Sequence, residues 1–495
     1  MDTTAAPLVP EWLSVPAEPA ALDPAVWTDS FRREEDGELA IDGRRVSELV
    51  REFGTPLYAY SEDTFRSRAR AFRESFREAF AAQGAEVSVY YAGKAFLCSA
   101  VVRWAEEEGL NLDTASGGEL RLALAAGLPP ARIALHGNNK SEAEVRRALQ
   151  HGVGRIVADS VPELLLIDRV AGELGVSAPV MIRVTPGVHA ETHDFIATAH
   201  EDQKFGLSLA EGTARLAEGQ LGEALRVEVA PTAADSAAML AGLAAAALPH
   251  VDLRGVHCHI GSQIFGPEGF ELAARRVLAF MAELSRRAEA PLPEVDLGGG
   301  YGIGYVAGER PRPASEIAEA LAGTIAAACA EAGMEVPHLS IEPGRAITGP
   351  AGATLYTVGT IKDVAVEDEH GRTQVRRYVS VDGGMSDNAR PVLYGSQYTV
   401  TLAGRSPAGE QVLCRVVGKH CESGDIVVHH CYLPADLRAG DVLAVAATGA
   451  YCWSLASNYN YLPRPAVVAT SAAQAPRVIV RGETEDDLLA RDAGL

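Results

Sequence analysis

The residue whose type and position most plainly suggest chemistry is a lysine. Val87-Ser88-Val89-Tyr90-Tyr91-Ala92-Gly93-Lys94-Ala95 is a β-branched, aromatic run that reads as a buried strand ending on Lys94, and a helical pattern resumes at Ala100. An amine at the mouth of a strand, between small residues, can form a Schiff base with a carbonyl cofactor. The plain alternative is a solvated surface charge. Other strand-like runs also close on polar or glycine-rich residues: Asp113, His136 with Asn138 and Asn139, Asp159, Thr185-Pro186-Gly187, His259, Gly298-Gly299-Gly300, and Glu342 with Arg345. Scattered surface groups are a strained explanation for a set that recurs at strand ends.

The elements that must position these groups alternate regularly. Strand patterns fall at 87–91, 110–113, 133–135, 155–158, 180–184, 253–259, 294–297 and 338–341, eight in all. Helical patterns lie between them at 100–108, 118–126, 141–151, 161–175, a longer region near 208–248, 269–288 and 314–333. A helix after each strand returns the chain to the same end of the sheet, so the strands are parallel. Units of this kind over ~250 residues make a (β/α)8 barrel, whose chemistry sits at the C-terminal strand ends. An open doubly wound sheet is the competitor, but the chain lacks a dinucleotide fingerprint. From Ala353 onward, short alternating runs with Gly, Pro and Asp turns predict a second, all-β domain. The expected organisation is a flexible tail over 1–30, N-terminal strands over 31–61 that join the β domain, the barrel over 62–345, and the β domain over 346–495.

Composition narrows the function classes. The 495 residues are 47% hydrophobic and 22% charged, as in soluble globular proteins, and are enough for two cores. A net charge of -22 argues against nucleic acid or an anionic membrane as partner. Seven cysteines, odd in number and irregularly spaced, fit a reducing compartment better than a disulfide framework. The Ala/Pro-rich start has no basic and apolar signal pattern, and the Ala-rich run 237–248 is too short to cross a bilayer, so the expected location is the cytoplasm.

Each motif has two readings. Gly298 to Gly304 is glycine-rich enough to cradle a phosphate, or simply to turn tightly. His257-Cys258-His259 puts two imidazoles on one strand face, but no third ligand stands at a recognisable spacing, so no metal is expected. Glu342, in Glu342-Pro343-Gly344-Arg345, needs a cationic partner if buried, or pairs with Arg345. Cys421, on the polar turn His420-Cys421-Glu422-Ser423-Gly424-Asp425, is either a reactive thiol or inert.

Taken together, Tyr91-Ala92-Gly93-Lys94-Ala95, His257 to Gln263, Glu342 to Arg345, Asp382-Gly383-Gly384-Met385-Ser386-Asp387-Asn388, Cys421 to Asp425 and Gly449-Ala450-Tyr451 resemble the diaminopimelate decarboxylase family, fold type III of the pyridoxal-phosphate enzymes, in register from about residue 40 to 490. Phe96 departs from it, since many members carry asparagine there. The resemblance implies an alanine-racemase-like (β/α)8 barrel with a C-terminal β domain, pyridoxal 5'-phosphate on Lys94, and decarboxylation of meso-2,6-diaminopimelate to L-lysine and CO2. It further implies Glu342 beside the ring nitrogen, His259 stacked on the ring and Cys421 as proton donor. Asp113, Ser262, Gly299, Gly300, Pro343, Gly344, Arg345 and Tyr451 would complete the cofactor site, while Arg345, Arg390, Tyr394, Glu422 and Tyr451 would hold the substrate. In the family Cys421 arrives from the partner subunit, which implies a homodimer with shared sites. The rivals are a decarboxylase of ornithine, lysine or arginine, which needs acids where Arg390 and Tyr394 stand; alanine racemase, which faces the ring nitrogen with arginine; and a non-catalytic regulatory homologue, which would be expected to lose Lys94 or Cys421.

Overall fold

A computed structural model describes residues 8–188, 203–368 and 370–495. The chain divides into two compact units. One contains 68–302 and 311–344; the other contains the residues up to 67, 303–310 and 345–495.

The first unit is a closed barrel of eight parallel strands: Val87–Ala92, Asn111–Thr114, Ile133–Leu135, Arg155–Ala158, Ala178–Thr185, Val251–Cys258, Glu294–Asp296 and His338–Ile341. The ring closes because Ala178–Thr185 pairs on one side with Arg155–Ala158 and on the other with Val251–Cys258. Local chemistry starts and stops the outer helices. Ser141 and Glu144 form a capping box ahead of Glu142–His151, Ser160 caps Val161–Leu174, and Gly152 and Gly175 end these helices at φ 69° and 67°. At Gly255 the sixth strand shifts register, and a Cβ there would collide with the Glu294 carbonyl, so only glycine fits.

The structure departs from the sequence reading in one stretch of this unit. The expected long helical region near 208–248 is a two-residue strand, two 3-10 turns and two helices, Glu223–Val229 and Ala237–Ala247. Pro231 and the run of small polar residues that follows interrupt the helical periodicity there.

The second unit is built on a twisted sheet in the order 426–434, 411–417, 373–381, 352–367, 57–61, 466–470 and 477–480. Leu57–Ser61 enters between Gly352–Glu367, antiparallel, and Ala466–Thr470, parallel. The strands 31–33, 39–41 and 44–45 make a separate three-stranded sheet, tied to the unit by the Leu39 amide donating to the Ala403 carbonyl at 2.8 Å. Within the expected tail, residues 1–7 lie outside the described residues. Further along it, Val26 and Trp27 are buried, and Trp27 meets Phe31 edge to face at 5.3 Å.

Candidate active site

In the barrel unit the strand ends bring together a group of buried titratable side chains. Lys94 stands in a single 3-10 turn directly after the first strand and is itself exposed, between buried Gly93 and Ala95. Asp113, His136, His257 and Glu342 are all buried. His136 Nε2 lies 3.1 Å from Glu342 Oε1 and 3.5 Å from Asp113 Oδ1, and His257 Nε2 lies 3.4 Å from the same glutamate. Burial is the main cause of every shift here. It pushes the Asp113 and Glu342 carboxyls up, holds the His136 and His259 imidazoles well below their ordinary value, and takes His257 down to about 3. The imidazoles are therefore neutral, and the Asp113–Glu342 pair holds protons easily.

The spacing argument against a metal is corrected in one respect. The fold supplies the third residue the sequence lacked, because the ligand atoms of His136, His257 and Glu342 lie within 4.8 Å of one another. They come from three strands, so no local spacing could announce them.

Beneath this cluster sits a residue absent from the sequence reading. Arg155, on the fourth strand and 2% exposed, bonds to Glu294, Asp296 and, at 3.1 Å, Ser340, and lies 3.9 Å over the Tyr90 ring. Burial pushes the Asp296 carboxyl up to about 7, with the Glu342 charge as the next cause, and the Arg155 cation draws both carboxyls back. The only local signal was a charge inside an otherwise apolar strand, facing two acids spaced i, i+2 on another. Arg183 is a second such cation, 3.9 Å from Asp159 and 4.4 Å over Phe205.

These residues fit a pyridoxal group. Glu342 Oε1 and Asp113 Oδ1 are buried without a hydrogen-bond partner among the described residues. At Gly299 a Cβ would strike the Glu342 carbonyl, and at Gly300, with φ +112°, it would strike the Gly261 carbonyl, so the turn that would carry a phosphate on its backbone N–H groups requires glycine at both positions. His259 follows the sixth strand and is half-buried, as is Ser262, while Pro343 and Gly344 are buried.

In the β unit, two guanidinium groups share the same aromatic rings. Arg345 opens the short helix Arg345–Thr348, donates to the Tyr305 hydroxyl at 2.5 Å and lies 4.7 Å over Tyr451. Arg390 opens the helix Arg390–Tyr394 and lies 5.5 Å over Tyr451, 5.9 Å over Tyr305 and 5.5 Å over the more exposed Tyr394. Arg390 is 6% exposed, its Nε has no partner, and no carboxylate stands within ion-pair distance of it among the described residues. Asp387, its nearest acidic neighbour in sequence, instead accepts from the Gly384 amide at 2.9 Å. Tyr451 holds a left-handed backbone at φ 63°, a conformation that costs energy for a non-glycine residue and marks a constrained position. Tyr305 was missed because its glycine-rich surroundings read as a turn.

Cys421 and Glu422 are exposed on a turn fixed from behind. Asp425 accepts from the His420 amide at 2.8 Å, the His420 ring at 2.9 Å and the Met385 amide at 2.6 Å, stapling the turn to the 383–388 loop. The Cys421 amide donates to Asn460 at 2.9 Å. The Gly424 amide and the Ser423 hydroxyl hold the Glu422 carboxyl below its ordinary value, so it is ionised.

The chain matches known proteins over nearly its whole length. Residues 63–230 and 232–349 match the pyridoxal-binding domain model of the pyridoxal-dependent decarboxylases. Diaminopimelate decarboxylase of Mycobacterium tuberculosis (H37Rv) is 49% identical, over 94% of this chain and 98% of that protein. The Bacillus subtilis enzyme of the same name is 41% identical, over 93% and 96%. The chain belongs to the diaminopimelate decarboxylase family. Among solved structures, the M. jannaschii diaminopimelate decarboxylase in complex with L-lysine superposes with a TM-score of 0.81 at 32% identity, covering 94% of this chain and 98% of that one. Membership carries the fold, a barrel plus β domain, and pyridoxal phosphate as cofactor.

Proposed function

We propose that the chain decarboxylates meso-2,6-diaminopimelate to L-lysine and CO2, the last step of lysine biosynthesis. The single observation that carries the substrate choice is the pair Arg345 and Arg390, two cations on shared tyrosine faces, with no acid beside Arg390 among the described residues. A substrate ending in an ammonium would be repelled there; one ending in a carboxylate supplies the missing charge.

Lys94 is the amine that would hold the cofactor covalently. When bound, pyridoxal phosphate supplies an electron sink for the pair left behind as CO2 departs. Glu342, with its buried and easily held proton, would serve the ring nitrogen. His259 would pack against the ring, and Gly299, Gly300, Gly344, Arg345 and Tyr451, with Ser262, would hold the phosphate. Asp113 stands beside Glu342 and shares the proton on that side of the barrel. Arg390 and Tyr394 hold the distal carboxylate and Glu422 the distal ammonium, while the Cys421 thiol donates the proton that replaces the lost carboxyl group at the α-carbon.

The active unit is a homodimer in the cytoplasm in which Cys421 and Glu422 serve the partner's barrel. Their exposure supports this assignment, and no described helix is long and apolar enough to cross a membrane. Two experiments test the reading. Holoenzyme is incubated with meso-diaminopimelate, ornithine, arginine and lysine, and CO2 and amine products are scored; turnover of ornithine or arginine above diaminopimelate refutes it. Mixing Lys94→Ala with Cys421→Ala should restore activity through heterodimers, and mixed subunits that exchange yet stay inactive refute the shared site.

A further inference from the structure

In the β unit, four basic side chains gather on three neighbouring strands without a carboxylate partner among the described residues. They are Arg376 on Thr373–Val381, Arg415 on Gln411–Val417, and His429 and His430 on Ile426–Pro434. Arg415 sits opposite Tyr378 in register, donates to the Tyr378 hydroxyl at 3.3 Å and reaches the His429 carbonyl at 3.2 Å. The two imidazole rings are 6.2 Å apart. Arg376, 8% exposed, donates to the Leu8 carbonyl at 3.0 Å, and the same carbonyl faces the His430 ring. One neutral oxygen therefore faces one guanidinium and one uncharged imidazole. Arg376 Nε and His430 Nδ1 are buried and have no hydrogen-bond partner among the described residues.

The arrangement is unfavourable as it stands. Burial, and then the two guanidinium charges, take His430 down to about 4 and hold His429 below its ordinary value. The chain has 66 acidic residues against 44 lysines and arginines, and the adjacent Arg377 takes a two-bond pair with Asp363 at 2.8 and 3.1 Å. Acid partners were thus available, and this cluster has none. A bound oxyanion would relieve the mutual repulsion and satisfy the orphaned N–H groups through charge-assisted bonds.

We propose that Arg376, Arg415, His429 and His430 form a binding site for a small oxyanion, a phosphate or a carboxylate, built from residues that take no part in the decarboxylation. Isothermal titration of the holoenzyme with inorganic phosphate, and separately with acetate, at ionic strength fixed with chloride, tests it. One saturable anion per chain is expected outside the substrate site, with affinity reduced at least tenfold in Arg376→Gln and in Arg415→Gln and unchanged in Arg286→Gln, which breaks an exposed ion pair of the barrel unit. Tighter binding of phosphate or of acetate identifies which source the site serves. No saturable heat beyond the chloride control, or equal affinity in wild type and both cluster variants, overturns the proposal. Should Arg376→Gln fail to fold, Arg415→Gln, on a half-exposed side chain, carries the same test.

Discussion

Replacing Arg390 with alanine should separate substrate recognition from stability. In most proteins a buried arginine holds an acid, and removing it strands that acid at a cost of about 3–5 kcal/mol. Here no acid is stranded among the described residues, because Arg390 meets the Ser396 hydroxyl at 3.2 Å and three tyrosine faces. The site is buried, but at 5.5–5.9 Å each cation–π contact lies near the limit of its range and contributes about 0.5–1 kcal/mol. Relief of repulsion from Arg345, which shares Tyr305 and Tyr451, and of the burial of a charge offsets part of that sum. The net loss of stability should therefore stay within about 2 kcal/mol. If Arg390 grips the distal carboxylate, the variant also loses charge-assisted bonds of about 1.5–3 kcal/mol, a ten- to 150-fold weakening. L-lysine lacks that carboxylate and should lose much less. The assay is KM for meso-diaminopimelate beside the competitive inhibition constant of L-lysine, with urea unfolding as control. Equal losses for the two ligands refute the specificity role, and an unfolding loss well above 3 kcal/mol would show that Arg390 has a structural ion partner.

Other residues give readouts of different kinds. Tyr305→Phe keeps the ring beneath both guanidinium groups but removes the acceptor for Arg345, so KM should rise about tenfold while kcat changes little; an unaltered KM refutes the anchoring. Gly384→Ala would put a Cβ 2.5 Å from the Asp425 carboxylate and 2.7 Å from the His420 ring, which should loosen the Cys421 turn and lower kcat, and full activity refutes the staple. His257 titrates near 6.5 in the unfolded chain but at about 3 when folded, so the unfolded state takes up the extra proton and stability is lost as pH falls between those values. In apoenzyme, His257→Asn should remove about 1.4 kcal/mol per pH unit from that slope, read by urea unfolding from pH 4 to 6.5; an unchanged slope refutes a neutral buried His257.

Legibility in the sequence followed the range over which each signal acts. Lys94, Asp113, His259 and Glu342 could be found because each ends a strand, and a strand end is marked by a local change from apolar to polar residues. The eight barrel strands were legible for the same reason, to within a few residues at their ends. Cys421 could be singled out because it stands on a polar turn, whereas Arg390 was named only through the family resemblance. The region 208–248 misled because Ala-rich composition carries helical propensity whether or not the helix is continuous, and its breaks lie in short turns with weak signals.

Arg155 shows why the rest was not legible. Its acids, Glu294 and Asp296, lie 139 and 141 residues away, and only barrel closure brings the fourth strand's interior face to the seventh's. Before closure, an arginine inside a strand reads as an edge or surface residue, because an unpaired buried guanidinium is too costly to assume. After closure the same charge becomes the counter-ion for Asp296 and, through the field it sets up, for Glu342. The glutamate proposed for the ring nitrogen is therefore adjusted by a cation on another strand: burial raises its proton affinity and Arg155 draws it back. The sequence could name the glutamate; the cation that tempers it becomes visible only when the barrel is closed.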